Sequence, residues 1–223
     1  MTLSMLLGIS KGVTAIIGSG GKTTAMYTLA GELSRRGTVI CTTSTRIFPP
    51  DHMPVYLGDD VDELVSLLLE QECVCVGTAA ENGKLAGSVI SMDTLAAAAD
   101  FVIVEADGSK GLPMKAHLAH EPVIPEDAKQ VILLVGAEGF GRTVAEAVHR
   151  SERFCELTGC ASHDPVTPEA VAAVLRAEGL GTKIFVNQAE SDEGMEHARS
   201  LAALVETPVF AGALRKGEWK CLS

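Results

Sequence analysis

The chain has 223 residues, of which 47% are hydrophobic and 21% are charged, so its length and composition suit one α/β domain with a sizeable core. Its formal net charge is −11, and this acidity argues against a nucleic-acid partner, because phosphate backbones require clustered Lys and Arg. We therefore predict a single domain over residues 1–223.

The sequence predicts neither a secretory signal nor a membrane span. The stretch Met1–Ile9 is apolar but short and has no basic segment, and no apolar run reaches the ~20 residues that span a bilayer. The six cysteines include no Cys-x-x-Cys pair, and Cys41, Cys73 and Cys75 lie in apolar runs, where Cys acts as a small hydrophobic residue. We expect a reduced, cytoplasmic protein without a membrane partner.

Strand and helix patterns alternate from the start of the chain. The continuous apolar run Val13–Ile17 predicts a buried strand of a parallel sheet. Apolar residues at helical spacing from Met26 to Leu33 then predict a helix whose C-terminal cap is Gly37. Further elements in this half are a strand over 38–42, a helix that begins at Asp59-Asp60, a strand over 73–77, an Asn-Gly turn at Asn82-Gly83 and a helix over 92–99.

The same alternation continues to the end of the chain. Buried strands are predicted over 101–106 and 130–135, and Thr167-Pro168 marks the start of a helix, with Thr as its cap. A strand over 184–186, a helix around Met195–Ala202 and a strand over 209–211 follow. This order predicts a three-layer α/β domain with a mostly parallel sheet.

The first chemical motif is the segment Gly18-Ser19-Gly20-Gly21-Lys22-Thr23-Thr24, between the first strand and the first long helix. It is shorter than the standard pattern G-x-x-x-x-G-K-[ST] and has the form Gly-x-x-Gly-Lys-Thr-Thr found in Mur-type ligases. Glycines let backbone N–H groups surround phosphate oxygens, the Lys reaches the β and γ phosphates, and the first Thr reaches Mg²⁺. The motif predicts a P-loop NTPase-like fold that binds ATP or GTP with Mg²⁺.

A second motif follows the strand predicted over 101–106, which has the form of a Walker B strand. Glu105 and Asp107 lie near the carboxyl edge of the sheet, where the phosphate loop also lies. One carboxylate is expected to hold Mg²⁺, for which we select Asp107 together with Thr23, while the other orients an attacking water or a substrate group. A simple turn at Asp107-Gly108 is the structural alternative.

Three other segments are weighed on residue type alone. The loop Ser109–Pro125 carries Lys110 and Lys115 and either lines the site or forms a solvated connection. The run Thr42–Thr45 either binds a γ-phosphate or is a Thr-rich strand end. Asn187-Gln188-Ala189-Glu190 follows a core strand, where guanine-specific proteins carry Asn-Lys-x-Asp. We place Asn187 at the nucleotide, but the two differences leave ATP and GTP both open.

Taken together, these motifs resemble the YqeC family over most of the chain. The resemblance rests on segments 18–24, 42–45, 105–113, 121–125 and 187–190, and Glu105–Gly111 is its most specific part. The family tends to have Asp at the position of Glu190. The resemblance implies an accessory protein of a selenium-dependent molybdenum hydroxylase, with that enzyme or its maturation factors as partners.

Three functions fit these observations. The leading one is an NTPase that couples hydrolysis to enzyme maturation, with Lys22, Glu105, Asp107 and Lys110 as catalytic residues, or Lys115 in place of Lys110. The second is a Mur-ligase-like or kinase-like enzyme that phosphorylates a small substrate. The third is a chaperone that binds a nucleotide without hydrolysing it.

Overall fold

The computed structural model describes all residues from Met1 to Ser223. The helices are α1 (Leu3–Leu6), α2 (Lys22–Leu33), α3 (Val61–Gln71), α4 (Met92–Ala98), α5 (Val144–Ala147), α6 (Ser151–Thr158), α7 (Pro168–Glu178) and α8 (Asp192–Leu204). The strands are β1 (Gly12–Gly18), β2 (Val39–Thr43), β3 (Arg46–Ile47), β4 (Val55–Tyr56), β5 (Cys73–Val76), β6 (Thr78–Ala79), β7 (Leu85–Ala86), β8 (Phe101–Glu105), β9 (Met114–Lys115), β10 (Ala128–Gly136), β11 (Val148–His149), β12 (Lys183–Asn187), β13 (Val209–Ala213) and β14 (Glu218–Cys221).

Nine strands form one sheet in the order β14-β13-β12-β10-β1-β8-β2-β5-β4. The neighbouring pairs are parallel where their register is defined, except for the antiparallel pair β13–β14 at one edge. Two small sheets, β9–β11 and β3–β7–β6, lie outside it. Helices flank the large sheet, which confirms the predicted three-layer, P-loop-like α/β class.

The chain divides into two compact units. The first comprises Met1–Ile16, Thr23–Asp107 and Val123–Gln130, and the second comprises Ile17–Lys22, Gly108–Pro122 and Val131–Ser223. The prediction of one domain over residues 1–223 stays a prediction.

In the first unit, the core consists of the apolar strands that the sequence predicts. Every residue of β2 and of β8 is buried, and Cys41 pairs in register with Ile103. Cys41 and Cys75 are buried within strands, whereas Cys73 is half-buried. Helix α3 packs against β5 and α4. This packing leaves the carboxyl ends of β2 and β8 side by side.

In the second unit, local capping signals set the helix boundaries. The Thr167 side chain accepts a hydrogen bond from the backbone N–H of Ala170, Pro168 opens α7, and Gly179 ends it in the left-handed conformation, as is typical of such caps. Helix α8 packs against β13 and α7. Parallel pairing brings the ends of these strands together: Gly136 of β10 pairs with Asn187 of β12, and Val186 of β12 pairs with Ala211 of β13.

Several elements differ from the sequence-based predictions. Helix α2 ends at Leu33, so Gly37 is not its cap. The edge strands β4 and β14 and the small pair β9–β11 were not predicted, because strands of two to four residues carry too little periodicity to be recognised. No helix combines the length and apolar character that crossing a membrane requires.

Candidate functional site

The turn between β1 and α2 is built on glycines that no other residue can replace without movement. Gly18, Gly20 and Gly21 have φ of 86°, 87° and 120°, a region that L-residues other than Gly rarely adopt. A Cβ atom added to Gly20 would lie 2.5 Å from the backbone of Gly136, and one added to Gly21 would lie 2.5 Å from Asn187 Nδ2. The loop is therefore packed closely against the backbone of Gly136 and the side chain of Asn187.

Lys22, the first residue of α2, is buried within this loop. Its Nζ donates a 2.6 Å hydrogen bond to the carbonyl oxygen of Gly18 and a 3.3 Å hydrogen bond to Ser109 Oγ. The hydroxyl of Ser19 donates to the carbonyl oxygen of Leu112. These contacts bring the start of the segment Ser109–Pro125 to the glycine loop. At Ser109 and Leu112, the segment therefore packs against the loop and is not a solvated connection.

The acidic motif forms a separate hydrogen-bonded group in the first unit. Thr23 Oγ1 donates a 2.7 Å hydrogen bond to Glu105 Oε2, and Thr43 Oγ1 donates a 2.8 Å hydrogen bond to the Glu105 carbonyl oxygen. Strand β8 ends at Glu105, so Asp107 lies in the segment that follows the strand, where it is 1% exposed. The chain connects this group to the glycine loop through the Lys22–Thr23 peptide bond.

The run Thr42–Thr45 lies at the end of β2, as predicted, and most of its hydroxyls have partners in the protein. Thr43 Oγ1 lies 3.2 Å from Thr45 Oγ1, and Ser44 Oγ donates to the carbonyl oxygen of Val123 at 3.1 Å. Thr42 Oγ1 is buried without a hydrogen-bond partner. Thr42 is therefore the hydroxyl of this run that retains unused hydrogen-bonding capacity.

The donor atoms of the first unit suit a hard cation. Thr23, Glu105 and Asp107 supply hydroxyl and carboxylate oxygens, the ligand type that Mg²⁺ prefers. No three His, Cys, Asp or Glu side chains come close enough together to form a metal site by themselves. By donor type these residues fit Mg²⁺, and further ligands of such an ion would come from another molecule.

The two lysines of the segment Ser109–Pro125 lie in different environments. Lys115 is in β9, and its buried Nζ lies 2.9 Å from Glu121 Oε2 and donates to the carbonyl oxygen of Gly108 at 2.7 Å. Lys110 is exposed, with φ of 51°, and lines a cavity of about 320 Å³ together with His149 and Arg150. The side chain of Lys115 is therefore buried, whereas Lys110 is exposed.

Glu121 is held between two cations in this segment. Arg150 donates to its Oε1 at 2.8 Å, opposite the contact from Lys115. Burial raises the pKa of the Glu121 carboxyl, but the hydrogen bonds and positive charges of Arg150 and Lys115 outweigh burial and lower its pKa to about 2. In the same segment, His117 Nδ1 lies 2.7 Å from Glu178 Oε2, and both side chains are buried. These side-chain contacts thus fix a chain segment in which three prolines exclude a long helix.

The sequence predicts that Asn187 lies at the nucleotide. In the structure, its side chain bridges two segments of the chain. Its Nδ2 donates to the carbonyl oxygen of Gly20 at 2.7 Å, and its Oδ1 accepts from the backbone N–H of Leu214 at 3.0 Å. The side chain thus connects the glycine loop to the residue that follows β13. Both ends of the amide are used in this connection, so Asn187 acts by holding the loop.

Sequence reasoning missed three residues that shape the loop. Ser109 contacts Lys22, the backbone of Gly136 packs against Gly20, and the Pro113 carbonyl accepts the backbone N–H of Gly136 at 2.8 Å. The available signal was a glycine at the end of a buried strand, which often marks a close backbone approach. Of the remaining predicted residues, Thr24 lies half-buried in the first turn of α2.

Comparison with known proteins shows similarity to one family and to a relative that carries its name. The family model described as "YqeC protein" matches residues 14–152. The chain is 36% identical over 166 residues to a protein of Escherichia coli (strain K12) named "Uncharacterized protein YqeC". That alignment covers 71% of this chain and 62% of the relative, so the match spans less than two thirds of the relative's length.

Proposed function

The chain belongs to the YqeC family, and from this membership and the geometry of its glycine loop we propose that it binds a nucleoside triphosphate, ATP or GTP, with Mg²⁺ and hydrolyses it. The family resemblance indicates the cellular process that this hydrolysis would serve. In this proposal, hydrolysis serves the maturation of a selenium-dependent molybdenum hydroxylase, with that enzyme or its maturation factors as partner.

The observation that carries the proposal is the buried Lys22 ammonium inside a loop of three glycines with positive φ. An ammonium group is costly to bury, and proteins keep one in a glycine loop where an anion is to be bound. The N-terminus of α2 adds partial positive charge at the same place. A triphosphate carries negative charge of the kind that an ammonium group and a helix N-terminus attract.

In the proposed reaction, the residues of the chain have separate tasks. Lys22 binds the β and γ phosphates, and Thr23 and Asp107 hold Mg²⁺, which when bound neutralises charge that develops on the phosphate oxygens. Glu105 accepts a hydrogen bond from Thr23 and orients either that hydroxyl or an attacking water. Lys110 is free of ion pairs and is the candidate for a cation that approaches the transferring phosphoryl group.

Calorimetric titration with ATP and GTP, with and without Mg²⁺, followed by phosphate release on the better ligand, tests this proposal. We expect Mg²⁺-dependent binding by the wild-type chain, loss of that binding in Lys22→Ala, and measurable phosphate release. Absence of binding by both nucleotides contradicts it. Binding without turnover would favour the nucleotide-gated chaperone, and phosphate release only with an added acceptor would favour the kinase-like alternative.

A further inference from the structure

A cavity of about 340 Å³ lies in the second unit at the ends of β12 and β13. Its walls are formed by Ala189–Asp192, by Ala211–Ala213 of β13, by Met195 and Arg199 of α8, and by residues 218–220 of β14, which include Glu218, Trp219 and Lys220. This volume is in the range of small-molecule sites. The lining combines the apolar surface of Met195 and Trp219 with several charged and polar groups. The cavity is not part of the phosphate loop, and the roles assigned above do not use it.

Asn187 connects this cavity to the phosphate loop. Its amide joins the carbonyl oxygen of Gly20 to the backbone N–H of Leu214. Two of the wall segments lie next to these residues in the chain: one begins two residues after Asn187, and another ends one residue before Leu214. A substitution at Gly21 would disturb the same link, because a Cβ atom there would meet Asn187 Nδ2. The cavity therefore opens beside the ends of the two strands that Asn187 holds to the loop.

The turn that follows Asn187 presents a carboxylate to the cavity. Gln188 has φ of 63°, which reverses the chain, and the backbone N–H of Ala189 donates to the carbonyl oxygen of Gly212 at 3.1 Å. This hydrogen bond fixes the turn on β13, so that Glu190 is exposed at the cavity wall. An ionised carboxylate can only accept hydrogen bonds.

Guanine and adenine differ in the hydrogen-bonding groups that they present to such an acceptor. Guanine presents two donors side by side, N1–H and the N2 amino group, which match the two oxygens of one carboxylate. Adenine has a lone pair at N1, which a carboxylate repels. The indole of Trp219 and the thioether of Met195 supply apolar and polarisable surface against which a purine can pack.

We propose that this cavity is the base subsite of the nucleotide site and that Glu190 selects guanine, so that the substrate is GTP. The inference rests on the proposed function, in which the loop Gly18–Thr24 holds the phosphates. Asn187 is a positioning residue in this arrangement, because it fixes the loop to the strands that form the subsite.

The test compares GTP, ATP and XTP by calorimetry on the wild-type chain, on Glu190→Gln and on Glu193→Gln. Glu193 is an exposed carboxylate of α8 outside the cavity walls, so its variant is a control for the lost charge. We expect the wild type to bind GTP roughly ten-fold or more tightly than ATP, the ratio expected for a charge-assisted hydrogen-bonded pair.

In Glu190→Gln, the amide oxygen still accepts from N1–H, but the amide nitrogen faces the N2 amino group of guanine. Xanthine carries a carbonyl oxygen at C2, which that amide nitrogen can donate to. We therefore expect Glu190→Gln to lose roughly ten-fold in GTP affinity and to gain in XTP affinity, while Glu193→Gln behaves as the wild type.

Two different results would overturn the inference, and only one of them would also overturn the proposed function. Equal binding of ATP and GTP by the wild type, unchanged in Glu190→Gln, removes the base assignment and leaves the proposed phosphate site intact. Absence of binding by all three nucleotides, in the wild type as in Lys22→Ala, overturns both the base assignment and the proposed function.

Discussion

Thr23 and Glu105 are joined by a 2.7 Å hydrogen bond from the threonine hydroxyl to a carboxylate oxygen, although 82 residues separate them in sequence. The bond links the second residue of α2 to the last residue of β8. The hydroxyl proposed to bind Mg²⁺ is thus already aligned with the strand end that carries the acidic motif.

The first prediction concerns Lys22. Lys22→Ala removes the ammonium from the glycine loop, and we expect triphosphate affinity to fall about ten-fold or more, since a charge-assisted contact contributes roughly 1.5–3 kcal/mol. Lys11→Ala is the control, because Lys11 is an exposed cation paired with Asp100 at 2.6 Å outside the loop. Equal affinities of the two folded variants in calorimetry would remove the phosphate-loop assignment.

The second prediction concerns the two acidic residues. Asp107→Asn and Glu105→Gln keep the shape of each side chain but remove its charge, so we expect Mg²⁺-dependent turnover to fall strongly in at least one of them. Nucleotide binding without metal should stay close to that of the wild type, because neither carboxylate is proposed to contact the nucleotide directly. Phosphate release at wild-type rates in both variants would contradict the Walker B interpretation.

The third prediction separates the two lysines of the segment Ser109–Pro125 by stability. Lys115→Ala removes a buried ammonium from Glu121 and from the Gly108 carbonyl, and we expect a loss of about 1–3 kcal/mol in the free energy of unfolding. Lys110→Ala should change it by no more than about 0.5 kcal/mol, because Lys110 is exposed. Urea denaturation of both variants measures the difference.

Lys110→Ala also tests a functional role. If Lys110 approaches the transferring phosphoryl group, hydrolysis should fall strongly in this variant while its unfolding curve stays that of the wild type. Wild-type phosphate release in Lys110→Ala would restrict the function of this segment to the contacts that Ser109 and Leu112 make with the loop.

The fourth prediction concerns pH and Glu121. Its pKa is lowered from 4.5 to about 2 in the folded chain, so it contributes stability that is fully present above pH 4.5 and is lost as the pH falls through 2. The contribution has an upper bound of about 3 kcal/mol. We expect wild type and Glu121→Gln to differ in unfolding free energy at pH 7 and to converge as the pH approaches 2. A difference that stays constant over this range would contradict the lowered pKa.

The core of the fold is predictable because its strands are continuous apolar runs that end in recognisable turns. Val13–Ile17 and residues 101–106 match β1 and β8 to within a residue at most boundaries. Thr167 and Pro168 likewise mark the start of α7 without any knowledge of tertiary contacts. Such features are local, and local features are what a single sequence contains.

The environments of Lys110 and Lys115 show where prediction from sequence stops. The two residues are of the same type and lie five positions apart, yet one is exposed and the other is buried. Lys115 is buried because β9 pairs with β11, where it lies opposite His149, and because Arg150 shares Glu121 with it. No periodicity in a two-residue strand signals that pairing. The bridging position of Asn187 is equally non-local, since Gly20 lies 167 residues away.

Trp219 gives the protein a built-in optical reporter. It is the chain's single tryptophan, and its indole lines the cavity at the ends of β12 and β13. Selectively excited emission therefore comes from one place in the molecule, without labelling or the addition of a foreign fluorophore. Ligand entry into that cavity can be followed in real time by stopped-flow mixing, which separates the association rate from the dissociation rate.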